Sequence, residues 1–102
     1  MINKGYIVQD NNENFIDIDV YKKSFTDSIV SELIAVRKRL GLTQQDIADR
    51  SGMKAPNVTR MESRKYSPSL DVLMRYARAV GKDIQFNLVD GEEVVSTIEE
   101  RP

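Results

Sequence analysis

The sequence predicts a mainly α-helical domain followed by a short strand. Two patterns lead to this prediction: apolar residues recur three and four positions apart through the middle of the chain, and they alternate with polar residues over residues 83–89. The chain has 102 residues, of which 40% are hydrophobic. Because a chain of this size supports one hydrophobic core rather than two, we expect a single helical fold.

The first helix is predicted to begin at Thr26 and Asp27, since short polar residues of this kind start helices. Gly41 is expected to end it. The apolar residues between them lie four, three and four positions apart, which is the spacing of one helix face: Ile29, Leu33, Val36 and Leu40.

Two short helices with a tight break between them are predicted next. Thr43–Asp46 has the form of a capping box, in which the Thr and Asp side chains accept hydrogen bonds from each other's backbone amides. This second helix should run to about Arg50 and end at the dipeptide Ser51-Gly52. The third helix follows with Val58 and Met61 as its inward residues, and it has room for about two turns.

A fourth helix is predicted after the break Ser67-Pro68-Ser69, with Gly81 near its C-terminal end. Its apolar stripe has spacings of three, four and three: Leu70, Leu73, Ala77 and Val80.

The flanks of the helical region have a different pattern. Tyr6–Gln9 and Phe15–Asp19 are strand-like runs that are consistent with a hairpin, and residues 83–89 alternate as a half-buried strand does. An unpaired apolar strand invites a second copy to extend the sheet. The predicted organisation is an N-terminal extension over residues 1–26, a helical domain over 27–81, a strand and dimer element over 82–90, and a flexible acidic tail over 91–102.

Charge is distributed unevenly along the chain. The formal net charge is -1, from 15 Lys and Arg against 16 Asp and Glu. Residues 1–26 sum to -1, residues 27–80 to +4 and residues 81–102 to -4. The helical region therefore has the basic side chains that a phosphate-facing surface needs, although the whole chain is slightly acidic.

Composition excludes several classes of function. The chain has no Cys and no His, which removes thiol nucleophiles, Cys/His zinc sites and imidazole acid–base catalysis. The acidic pairs Asp17/Asp19 and Asp46/Asp49 lack further ligands nearby, so we expect no metal, no cofactor and no catalytic residue. The longest apolar run, Leu33–Val36, is too short for a membrane span or a signal peptide, which indicates a cytoplasmic protein.

The second and third helices, joined by a turn that contains Gly52 and with the small Ala48 where they meet, have the helix-turn-helix arrangement. The motif residues are Leu42-Thr43-Gln44-Gln45-Asp46-Ile47-Ala48, Gly52, Val58-Thr59-Arg60-Met61-Glu62 and Pro68-Ser69-Leu70. Over Ile29–Val80 the chain resembles the Xre family of phage repressors and Cro proteins. The resemblance implies a lambda-repressor-like helix-turn-helix bundle that binds double-stranded DNA sequence-specifically and regulates transcription, with its third helix in the major groove and as a homodimer on two half-sites.

The outward side of the third helix is predicted to read bases. With Val58 and Met61 inward, residues 55, 56, 59 and 60 share the opposite stripe. Arg60 is the strongest reader, because a guanidinium bonds guanine O6 and N7 together, and Thr59 is a second polar contact. Relatives often have Gln or Ser where this chain has Ala55 and Pro56, so apolar contact with a thymine methyl is expected there. Ala55 is predicted to be the N-cap and Pro56 the first helical residue.

Phosphate contacts are predicted around that helix. Gln44 begins the second helix, where free amides favour an anion and the resemblance implies a contact with the DNA backbone. The other expected contacts flank the third helix on both sides: Lys54, Asn57, Arg64 and Lys65.

The resemblance also implies that Arg37 and Glu62 form an ion pair that braces the third helix, with an exposed Glu62 as the alternative. Side chains near core positions are assigned to packing rather than to ligand binding: Met53, Met61, Met74, Tyr66 and Tyr76.

The sequence is also consistent with a second function in addition to DNA binding. The short chain, with a segment before its helix-turn-helix and an acidic tail after it, is similar to HigA-type antitoxins. That resemblance implies a small basic toxin as partner and repression of the chain's own promoter.

Overall fold

The predicted mainly helical fold is confirmed in a computed structural model, which describes residues 7–9 and 15–90. The predicted acidic tail over residues 91–102 lies outside the described residues. In chain order the elements are the strands β1 (Ile7–Gln9) and β2 (Phe15–Asp17) and the helices α1 (Ile18–Arg39), α2 (Gln44–Ser51), α3 (Ala55–Glu62) and α4 (Leu70–Ala79).

The described residues divide into two compact units, residues 23–85 and a second unit that contains residues 7–9, 15–22 and 86–90. In the second unit β1 and β2 pair antiparallel, with Val8 opposite Ile16. The strands predicted over Tyr6–Gln9 and Phe15–Asp19 therefore pair over Ile7–Gln9 and Phe15–Asp17, whereas Ile18 and Asp19 begin α1 instead.

Helix α1 begins eight residues before the predicted start at Thr26. Thr26 is buried inside the helix, and its hydroxyl donates a hydrogen bond to the carbonyl of Lys23. Asp27 pairs with Lys23 one turn earlier, at 2.6 Å between Nζ and Oδ2. Residues that favour helix starts are thus accommodated within the helix, because each has a partner on the preceding turn.

The core of residues 23–85 receives fully buried side chains from all four helices. The largest are Val30 of α1, Ile47 of α2, Val58 and Met61 of α3, and Tyr76 of α4. Three apolar residues that the spacing placed on inward faces or near core positions are largely exposed instead: Leu40, Leu70 and Met74. Leu40 directly follows α1 and Leu70 is the first residue of α4, so both lie at the end of an apolar helix face, where packing against other helices stops.

Residues 82–90 form no strand, so this part of the prediction is wrong. A strand needs a neighbour for its backbone hydrogen bonds, and β1 and β2 are the sole paired strands among the described residues. Ile84 is half-buried and packs against the core, whereas Leu88 and Val89 are exposed. No helix of the described part is long and apolar enough to cross a membrane.

Glu62, the last residue of α3, connects the other three helices. Its Oε2 accepts hydrogen bonds from Arg37 Nε (2.8 Å) and the Tyr76 hydroxyl (2.6 Å). Its Oε1 accepts from Arg37 Nη2 and Gln44 Nε2, both at 2.9 Å. Arg37 also donates from Nη1 to the carbonyl of Leu42 (2.9 Å). We refer to Glu62, Arg37, Gln44 and Tyr76 as the Glu62 cluster.

The Glu62 cluster is nearly closed to solvent, with the side chains of Arg37 and Glu62 exposed by 11% and 8%. Two parallel guanidinium bonds to one carboxylate are a strong geometry, and the other two donors complete the carboxylate's hydrogen bonds. The alternative of an exposed Glu62 is therefore wrong.

Ionisation in the cluster follows from these contacts. Burial raises the pKa of Glu62, but the hydrogen bonds from Arg37, Tyr76 and Gln44 together lower it by more than burial raises it. The pKa of Glu62 therefore lies below its ordinary value. The hydrogen bond to Glu62 raises the pKa of Arg37. Burial, followed by the adjacent carboxylate, raises the pKa of Tyr76 well above that of a free phenol.

We expect Glu62→Ala to lower the free energy of unfolding by about 3–5 kcal/mol, because it leaves Arg37 charged, nearly buried and without its carboxylate. Urea unfolding followed by circular dichroism measures this. Glu32→Ala on the exposed side of α1 is the matched control, with an expected change below about 0.5 kcal/mol. Equal losses in the two variants would contradict the role of the cluster.

We also expect stability to depend on acid pH through Glu62. Its folded pKa is lower than its unfolded value of about 4.3, so its contribution is present above that pH and is lost as pH falls through the folded pKa. The free energy of unfolding should fall between about pH 5 and pH 3, and less steeply in Glu62→Gln. Some dependence of stability on acid pH should remain in Glu62→Gln, because the pKa of Asp46 is also lowered, by hydrogen bonds with Thr43. Identical slopes in urea titrations of both proteins would refute this assignment.

Candidate nucleic-acid interface

The connection between α2 and α3 has the geometry that the motif predicts. The Asp46 amide donates to Thr43 Oγ1 (3.0 Å), and the Thr43 amide donates to Asp46 Oδ2 (2.8 Å), so the capping box is confirmed. Gly52 ends α2 in the left-handed conformation at φ 78°, and its amide donates to the carbonyl of Ala48 (3.0 Å). Ala48 is buried, which allows α3 to pack closely across α2.

Helix α3 begins one residue earlier than predicted. Lys54 is the N-cap, with Ala55 and Pro56 as the first two helical residues. The reason is the carbonyl of Lys54, which accepts hydrogen bonds from the amides of Asn57 (2.8 Å) and Val58 (3.2 Å). Proline has no amide hydrogen and therefore fits either of the first two helical positions, where no intrahelical acceptor exists.

The outward face of α3 differs from the prediction at one position. Pro56, Thr59 and Arg60 are exposed, as is Asn57, whereas Ala55 is half-buried and packs against the core. The exposed face therefore begins at Pro56, and of the two residues considered for apolar contact Pro56 is the outward one.

Thr59 is connected to the Glu62 cluster through Gln44. The Thr59 hydroxyl donates to Gln44 Oε1 (2.7 Å), and Gln44 Nε2 donates in turn to Glu62 Oε1 (2.9 Å). The half-buried Gln44 side chain is thus engaged at both ends. Its expected phosphate contact would come from the amide at the start of α2, and the Thr59 oxygen keeps lone pairs that can accept a hydrogen bond.

The predicted cationic contacts surround α3. Lys54 precedes the helix, while Arg64 and Lys65 lie in the turn over residues 63–69, and all three side chains are exposed. Arg64 has φ 58°, a left-handed conformation that residues other than glycine seldom adopt. The structure therefore brings the predicted base-reading and phosphate-contacting residues, apart from the half-buried Ala55 and Gln44, to exposed positions on α3 and beside it.

Two tyrosines assigned to packing have a polar role as well. Tyr76 is fully buried, as expected, but its hydroxyl is a donor in the Glu62 cluster. Tyr66 is half-buried, and the Arg60 guanidinium lies over its ring. The residue type of Tyr76 is a signal for this role in the sequence. Phenylalanine would fill the same space, whereas the buried hydroxyl of a tyrosine requires a hydrogen-bond partner.

The acidic pairs have structural roles rather than a shared ligand. Asp46 belongs to the capping box, Asp49 accepts from Gln45 Nε2 (2.9 Å), and Asp17 accepts from the Asp19 amide (2.9 Å). Within residues 7–9 and 15–90, no three acidic side chains form a group that could hold a metal ion.

Comparison with known proteins finds relatives that match part of this chain. An uncharacterised HTH-type transcriptional regulator of Methanothermobacter thermautotrophicus is 45% identical over 47 residues, which are 46% of this chain and 68% of the relative. A regulator of the same description from Haemophilus influenzae is 27% identical over 70 residues, covering 69% of this chain and 71% of the relative. Antitoxin HigA1 of Mycobacterium tuberculosis is 41% identical over 61 residues, which are 60% of this chain and 40% of the antitoxin.

The profile of the helix-turn-helix family matches residues 33–87, which is more than half of the chain and includes α2, α3 and α4. This match confirms the resemblance inferred from the motif residues, and it agrees with the prediction that the protein is not an enzyme. The chain belongs to the helix-turn-helix family.

Proposed function

We propose that this protein is a sequence-specific DNA-binding regulator of transcription that places α3 in the major groove. The observation that carries the proposal is the division of α3 into two faces. Val58 and Met61 are fully buried, while Pro56, Thr59 and Arg60 are exposed on the other side. An α-helix with its side chains is about 10–12 Å in diameter, which suits a major groove about 12 Å wide.

Residue chemistry on the exposed face supports base reading. Arg60 presents planar donors that match guanine O6 and N7, and the Thr59 oxygen accepts a hydrogen bond from an exocyclic amine. Pro56 offers apolar contact to a thymine methyl. Lys54, Asn57, Arg64 and Lys65, together with the first amides of α2 at Gln44, would contact phosphates on either side.

Names of the relatives agree with this role, since two of them are described as HTH-type transcriptional regulators. The two matches cover 68% and 71% of these regulators. The proposal therefore rests on the site first and on these names second.

We further propose that the protein acts as a homodimer on two half-sites about one helical turn apart. One module of this size neutralises few phosphates, so a second copy raises affinity substantially. Leu88 and Val89 support this proposal, because they are apolar and exposed and would be buried against a second copy.

The test of DNA binding is a selection from random duplexes at two salt concentrations. A selected motif with two half-sites about 10 base pairs apart is expected, and the salt dependence reports the number of phosphates neutralised. Recovery of unrelated sequences at both salt concentrations would refute sequence-specific binding.

Two arginine variants separate base reading from phosphate contact. Arg60→Ala should cost about 1–3 kcal/mol on the selected duplex and relax the preference at one base pair. Arg64→Ala, as the matched loss of an exposed arginine beside α3, should weaken binding to all duplexes similarly and reduce the salt slope by about one. Equal effects of both variants on every duplex, measured by fluorescence anisotropy, would contradict base reading by Arg60.

We propose as the second candidate that the protein also neutralises a small basic toxin and represses its own promoter. The match to antitoxin HigA1 favours it, although the chain spans 40% of that protein's length. An acidic balance of -4 over residues 81–102 suits a basic partner.

Co-expression with the small basic protein encoded next to its gene tests this role. We expect the two chains to co-purify through size-exclusion chromatography and the partner's toxicity to be relieved. Separate elution of the two proteins with undiminished toxicity would contradict the antitoxin role, as would a gene that has no such neighbour. Regulation of transcription would then remain as the proposed function.

A further inference from the structure

Arg60 is the sole cationic residue of α3, and its guanidinium has no hydrogen-bond or ion-pair partner in the part of the chain that the structure describes. The acidic residue Asp71 does not compete for it. Asp71 lines the same groove, but its Oδ2 is 2.8 Å from Arg75 Nε in an ion pair along α4. The donors of Arg60 therefore remain available to an external acceptor.

The position of Arg60 is nevertheless defined by an aromatic ring. Its Cζ lies over the ring of Tyr66, 4.7 Å from the centroid, which is within the range of a cation–π interaction. Both side chains line an open groove of about 740 Å³ between α3 and the start of α4, together with Lys54 and Asn57.

The turn that holds Tyr66 is itself fixed within the protein. The Ser63 hydroxyl donates to the carbonyl of Arg60 (2.5 Å), and Lys23 Nζ of α1 donates to the carbonyl of Arg64 (2.6 Å). Pro68, two residues after Tyr66, is buried. The ring thus has a defined position before any ligand binds.

An arginine held over a ring is prepared for base reading. A free arginine side chain loses many rotamers when it binds, whereas one that is already positioned loses fewer. Contact with the ring engages the face of the guanidinium, while hydrogen bonds to guanine use the N–H groups at its edge. The two interactions are therefore compatible.

We propose that Tyr66 is a positioning residue for sequence recognition, and that its ring holds the Arg60 guanidinium where it reads a guanine. This inference rests on the proposed function. Tyr66 does not contact the base in this arrangement but acts through Arg60, so its loss affects the preference at the base pair that Arg60 reads.

The experiment compares Tyr66→Leu with Tyr66→Phe, in the unaltered chain and in Arg60→Ala. Fluorescence anisotropy measures affinity for the selected duplex, for duplexes with each base pair replaced, and for a random duplex. Tyr66→Leu should weaken binding to the selected duplex about two- to fivefold and reduce the discrimination between bases at one base pair. Affinity for the random duplex should stay the same, and Tyr66→Phe should restore the preference because it keeps the ring. Tyr21→Leu, on the exposed part of α1, is the control.

In the Arg60→Ala background, Tyr66→Leu should have no further effect, since the guanidinium it positions is absent. Equal weakening on every duplex, an effect that persists without Arg60, or a similar loss in Tyr21→Leu would overturn the inference. A wild-type chain that prefers no duplex would overturn the proposed function as well. A wild-type preference that Tyr66→Leu leaves unchanged would overturn the role of Tyr66 alone.

Discussion

The position of the third helix depends on one carboxylate. Glu62 accepts four hydrogen bonds from Arg37, Gln44 and Tyr76, which belong to α1, α2 and α4. A helix of 8 residues has little stability of its own in water, so its orientation has to come from tertiary contacts. The Glu62 cluster provides them at one end of α3, and the buried Val58 and Met61 provide them along its length.

The buried face and the exposed face of α3 are coupled at Thr59. Its hydroxyl donates to Gln44, which belongs to the Glu62 cluster. A substitution at Thr59 therefore changes the exposed face and also removes this hydrogen bond to Gln44. Arg60 has no such connection, because its partner is the ring of Tyr66 in the following turn. Within a single short helix, Thr59 is therefore joined to the folded framework by hydrogen bonds, whereas Arg60 contacts a ring in the following turn.

The features predictable from the sequence are those governed by local geometry. Thr43 and Asp46 form the capping box, and Gly52 takes the left-handed conformation, because both depend on residues within a few positions of each other. The start of α1 was missed because the pairing of Asp27 with Lys23 satisfies a helix-starting residue inside the helix. The strand over residues 82–90 was wrong because alternation predicts which side chains are apolar, not whether a partner strand exists.

Contacts between side chains that are far apart in the sequence could be predicted only in part. The pairing of Arg37 with Glu62 followed from the family resemblance, since 25 residues separate them and no spacing rule joins them. The hydroxyl of Tyr76 and the ring of Tyr66 have roles that depend on which side chains the fold brings opposite them. The sequence predicts packing for both tyrosines, and only the three-dimensional arrangement identifies the polar neighbour of each.

Pro56 has a consequence for the kind of anion that α3 can bind. Helix N-termini commonly hold phosphate through several free amides, but Pro56 has none and the Asn57 and Val58 amides are occupied by the Lys54 carbonyl. Free nucleotides and inorganic phosphate therefore gain little at this end of the helix. The binding properties of this end of α3 thus depend on side-chain shape, which single substitutions can alter without disturbing the backbone.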